Sequence, residues 1–261
     1  MQIINLCKEE QQIRDFDISR YSLKLINRVL WGDSVLSLSY YYKHWKNISL
    51  DEENSIVKFN GGVGENTLYR TLNQIPIYFV TIDQCNKSFS VDFFGRRECV
   101  CVPEDKCVCV PEDNIGIIYD LLGVYISAKN TLINSSTLIC NSKPIIYIWV
   151  DKIWEICNRN WHNYQLLLSK VILHELMHGM MDVTLLGYNY FKSKPEEESL
   201  ANAIPLLLLK EYVNPTDWEF LAEFVKNQPS PYSKGWVYAN RGIEEVSKAL
   251  HEYMRRKRNL K

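Results

Sequence analysis

Apolar residues change their period along this chain, and each change marks a different kind of element. Ile13, Phe16, Ile18, Tyr21, Leu25, Ile26 and Val29 recur at near-helical intervals and predict helix within residues 1 to 30. Ile77 to Thr81 and Ser88 to Phe94 are short β-branched and aromatic runs that predict strands. Gly123-Val124-Tyr125-Ile126-Ser127 and Pro144-Ile145-Ile146-Tyr147-Ile148-Trp149-Val150 read the same way. Leu166, Leu167, Val171, Ile172, Leu173, Leu176, Met177, Met180 and Met181 then occupy most of a helical circumference, with no Pro or Gly before Gly179. A helix without a polar face is a buried helix. Pro195 followed by Glu196, Glu197 and Glu198 opens another, apolar from Ile204 through Leu209, and two more are predicted around Asp217 to Lys226 and Ile243 to Lys257. The order predicts an α+β fold with a boundary near residue 115. Residues 1–115 form an α+β N-terminal region, and 116–261 a compact region with a small sheet followed by helices.

The buried helix carries His174-Glu175-Leu176-Met177-His178, a His-Glu-x-x-His motif. Residues four apart share a helical face, so both imidazoles can reach one Zn²⁺ while Glu175 takes a proton from the attacking water. Paired His and Glu in a core rarely lie idle, because a buried polar group needs a partner. One turn later, Asp182 cannot join them: three consecutive ligands along one straight helix do not converge on a tetrahedral ion.

With Glu198 and Asn202 on the next helix, the stretch from about 170 to 202 resembles the gluzincins, the thermolysin-like metallopeptidases. That resemblance implies a zincin-like catalytic region, with His174, His178 and Glu198 as zinc ligands and Glu175 as the general base. It makes Asn202, one turn after Glu198, the residue that orients a ligand histidine. Gluzincins usually carry an aspartate there; an amide orients an imidazole without raising its basicity. Glu197 is the alternative third ligand, and the helical spacing to Asn202 favours Glu198. The resemblance also implies that an edge strand ahead of the metal helix binds extended substrate, either 123–127 or 144–150. A metzincin pattern is absent, since the positions it reserves for Gly and a third His are Met181 and Thr184.

Three other segments invite chemistry. Gly61-Gly62-Val63-Gly64 lacks the Lys-Ser/Thr of a phosphate loop and reads as a connector, while Tyr188 and Tyr190, between the two ligand helices, are candidate oxyanion donors. Cys99-Val-Cys-Val-Pro-Glu-Asp105 is repeated, after Lys106, as Cys107-Val-Cys-Val-Pro-Glu-Asp113. Pro-Glu-Asp is good turn chemistry, so the repeat predicts a small hairpin, with a metal site, a redox role or no chemistry all open.

Composition narrows the class. A formal charge of −1 gives no reason to expect nucleic acid, 46% apolar residues exclude global disorder, and no apolar run approaches the length needed to cross a membrane. The first ten residues lack a charged-then-apolar signal pattern, which predicts a cytoplasmic protein with its eight cysteines reduced. The expected activity is zinc-dependent hydrolysis of a peptide or protein substrate. The alternatives are a regulatory protease with a single protein target and a non-catalytic interaction protein retaining a structural zinc.

Overall fold

The computed structural model describes residues 1–5, 18–32, 38, 72–81, 99–102, 106–109, 122–126, 144–184 and 194–258. Contacts group the chain into two units, Met1–Asp17 with Asn73–Trp161, and Ile18–Leu72 with His162–Lys261.

In the first unit a four-stranded mixed sheet has the order β1-β2-β6-β5, built from β1 (Gln2–Asn5), β2 (Pro76–Val80), β5 (Gly123–Ile126) and β6 (Ile145–Trp149). β1, β2 and β6 run parallel, with Ile3 opposite Ile77 and Ile77 opposite Ile146. β5 is antiparallel to β6 and lies at the edge, which resolves which of the two candidate segments is the edge strand. All five residues of β6 are buried. An interior strand covered on both faces has no polar alternation to show. Helix α2 (Val150–Ile156) follows directly, and Asn158 and Arg159, with φ of 50° and 59°, turn the chain sharply before the next helix. The repeat forms a separate antiparallel ribbon of β3 (Cys99–Val102) and β4 (Lys106–Cys109), the hairpin its sequence predicts.

One expectation meets a different structure. Residues 2 to 5 are a strand rather than the start of a helix, because Ile3 and Ile4 find a ladder on β2. The sheet draws strands from both sides of residue 115. The segments 61–64, 88–94 and 187–193 lie outside the described residues.

Among the described residues the second unit is helical. Its centre is α3 (Trp161–Thr184), whose residues from Tyr164 to Met181 are all buried, as an apolar circumference requires. α1 (Arg20–Trp31) is fastened to it at the N-terminus: Ser19 caps the helix by accepting from the Ser22 amide, and the Gln165 side chain accepts from Ser19 N at 2.9 Å and from Ser22 Oγ at 2.6 Å. α4 (Lys194–Leu209) carries the acidic residues, and α5 (Pro215–Lys226) is capped by Asn214, with Asp217 bonded to His162 at 2.7 Å. α6 (Lys234–Arg241) and α7 (Ile243–Arg258) complete the unit.

Gly235 sets how closely α6 approaches α4. A Cβ there would lie 2.5 Å from Asn202 Cβ and 2.8 Å from the Ser199 carbonyl oxygen. Both distances are too short for carbon, and neither neighbour is the free end of a long side chain. Gly235→Ala is therefore expected to push apart two packed helices and destabilise the protein by ~1–3 kcal/mol. The denaturant midpoint measures this, and a midpoint unchanged at constant slope is the contrary result.

Candidate metal centre

The metal-ligand cluster stands where α3 and α4 face each other. His174 and His178 are one turn apart on the buried helix, and Glu198 lies in the first turns of α4, where negative charge also suits the helix dipole. Their donor atoms form a triangle: Nε2 to Nε2 is 3.2 Å, and each Nε2 is 3.3 Å from Glu198 Oε2. Tetrahedral bonds of 2.0–2.1 Å to N and O put neighbouring donors ~3.3–3.4 Å apart. The triangle thus matches one face of a zinc-sized tetrahedron, leaving the fourth position open.

Formal charge points the same way. Among the described residues, Glu175, Glu197 and Glu198 are opposed by one buried cation, Lys170, while the imidazoles are neutral as ligands. A divalent ion balances the remaining two charges, and buried charge is tolerated only when balanced. Among the residues whose side chains are described, these three are the His/Cys/Asp/Glu group able to hold a metal ion.

Glu175 is buried, with Oε1 3.9 Å from His174 Nε2, farther than the edges of the donor triangle. It borders the ligand set without belonging to it. Burial pulls His174 down to about 4, with Lys170 and His178 adding to the effect and Glu198 only partly opposing it. For His178 burial acts in the same direction, but Glu198 and Glu197 outweigh it and hold the imidazole well above its ordinary value. Burial alone would raise the Glu198 carboxyl, whereas the two histidines hold it well below the usual carboxylate range. The carboxylates therefore favour a positive charge at the point where the three donors meet.

Around the triangle the structure departs from the sequence expectation in one respect. Asn202 does not bond to a histidine. Its Oδ1 accepts from Lys170 Nζ and its Nδ2 donates to the Glu198 carbonyl oxygen at 3.3 Å. Glu197 takes the orienting position instead: Oε1 lies 2.8 Å from His178 Nδ1, and Oε2 accepts from the Tyr253 hydroxyl at 2.6 Å. A proton on Nδ1 donated to Glu197 leaves the Nε2 lone pair facing Glu198 and His174. Glu197 thus faces the His178 ring nitrogen that points away from the donor triangle.

Sequence reading missed Lys170, Tyr253 and Tyr232. Lys170 had a signal, since 170, 174 and 178 lie on one helical face; burial lowers its ammonium to about 8 against the pull of Glu175 and Glu198. Tyr253 on α7 and Tyr232, whose ring centroid is 6.4 Å from that of His174, are brought in by tertiary packing alone. Tyr188 and Tyr190 lie outside the described residues.

A His-Glu-x-x-His helix, a downstream glutamate helix completing a His-His-Glu donor set and a small mixed sheet ahead of them in the chain match a zincin-like architecture and are consistent with a gluzincin-type metallopeptidase active site. Comparisons with protein families, curated proteins and solved structures found no match. Among the described residues, no helix is long and apolar enough to cross a membrane.

Proposed function

We propose that this protein is a zinc-dependent peptidase. The observation that carries this reading is the donor triangle of His174, His178 and Glu198, sized for zinc and bordered by an unligated, buried Glu175. Bound zinc would supply Lewis-acid polarisation of the scissile carbonyl and a lowered pKa for the attacking water. Glu175 takes that water's proton and delivers it to the leaving amine. Glu197 holds the His178 ring and its tautomer, with Tyr253 fixing Glu197 in turn. Lys170 and Asn202 tie α3 to α4, so that ligands from two helices meet without adjustment.

Protein purified without chelator is expected to hold about one zinc at this site, absent from a His174→Ala/His178→Ala variant. Zinc-loaded protein should produce new termini in a peptide library, and chelation should abolish them until zinc is restored. Full zinc occupancy with every peptide left intact would refute general peptidase activity.

A further inference from the structure

The β3–β4 ribbon contains chemistry the His-His-Glu site does not use. Its register sets Cys99 opposite Cys109, Val100 opposite Val108 and Cys101 opposite Cys107. Successive strand residues alternate between faces and directly opposed residues share one. All four cysteines therefore occupy one face of the ribbon, and Val100 and Val108 the other. The repeat produces this arrangement because the two Cys-Val-Cys segments run antiparallel about a short Pro-Glu-Asp connection. A register shifted by one residue would set cysteines against valines.

Opposed residues in such a ribbon are ~4.5–5.5 Å apart at Cα, and residues two apart along a strand ~7 Å. Four thiol-bearing residues at the corners of so small a rectangle, on a twisted ribbon, match in number and type the ligand set of a tetrahedral thiolate site. The ribbon also has reason to bind an ion. Among the described residues it is a two-stranded sheet, and a two-stranded hairpin by itself is marginal in water without a cross-link.

We propose that Cys99, Cys101, Cys107 and Cys109 bind one thiophilic divalent cation of the zinc class, at a site sharing no residue with His174, His178 and Glu198. Four thiols lose four protons and the ion is held by four thiolates, so no electron is transferred and no oxidant is needed. Cross-strand disulfides at the same two rungs would require the removal of four electrons. The proposal does not rest on peptidase activity.

The test uses the full-length, fully reduced chain loaded with cobalt(II). Expected is binding of two equivalents with a near-ultraviolet thiolate-to-cobalt charge-transfer band. The Cys99→Ser/Cys101→Ser/Cys107→Ser/Cys109→Ser variant should lose the band and one equivalent; the equivalent it keeps reports an intact fold. The His174→Ala/His178→Ala variant should lose the other equivalent and keep the band. Should the quadruple variant fail to fold, Cys101→Ser/Cys107→Ser should weaken the band-forming site by at least tenfold. A wild-type chain without the band overturns the proposal, as does a band that survives the cysteine substitutions. Isolation of the native protein with disulfides at the two rungs overturns it in favour of a redox pair. Loss of the histidine equivalent alone would count against the peptidase reading and leave the ribbon site standing.

Discussion

Glu175→Gln should leave the fold and the bound zinc intact while lowering peptide cleavage by ~10²–10⁴-fold, the usual worth of general-base assistance. The carboxylate sits outside the donor triangle, so its replacement by an amide removes no ligand. The shape of the buried side chain is preserved, and only proton acceptance is lost. Zinc content and the denaturation midpoint serve as controls, with turnover of a cleaved library peptide as the readout. A variant that cleaves at the parental rate would refute Glu175 as the base. Loss of zinc together with activity would mean that Glu175 supports the metal, and the assignment would have to change.

The central helix was legible because Leu166 to Met181 are apolar over most of a helical circumference, and such a pattern favours burial. The ligand trio followed from fixed helical spacing and a resemblance. β1 was hidden for a physical reason: Ile3 and Ile4 acquire a strand conformation from pairing with Ile77 and Tyr78, more than seventy residues away. No local period can report such a partner. The pairing of β6 with β2, across residue 115, is hidden from the sequence for the same reason.

The Glu197 and Asn202 assignment was lost at a different level. Neighbouring residues on a helix diverge by about 100°, so spacing alone suggested that only one of Glu197 and Glu198 could serve the metal centre. A single imidazole reconciles both, because its two ring nitrogens face different carboxylates: Nδ1 of His178 meets Glu197 while Nε2 meets Glu198. That geometry depends on how α4 is rotated against α3. Part of the rotation is set by Gly235, which lets α6 pack directly on Ser199 and Asn202. Asn202, turned toward Lys170, accepts from its ammonium and donates to the Glu198 carbonyl oxygen.

These positions give a graded result for zinc affinity, read by competition with a chromophoric chelator. Glu198→Ala removes one of three protein donors and should have the largest effect, well beyond 100-fold. Glu197→Ala keeps the donor set but leaves His178 Nδ1 buried without its acceptor, and should cost ~10–100-fold, the range for partners that orient ligand histidines. Tyr253→Phe removes only the hydroxyl that fixes Glu197 and should cost less than Glu197→Ala in the same assay. Asn202→Ala should behave differently in kind. It leaves the buried Lys170 ammonium without its acceptor and should cost ~1–3 kcal/mol of stability, with zinc affinity changed less than in Glu197→Ala. If Asn202→Ala weakened zinc more than Glu197→Ala, the orienting role would return to Asn202. If Glu197→Ala and Glu198→Ala lost zinc equally, Glu197 would have to be counted among the ligands.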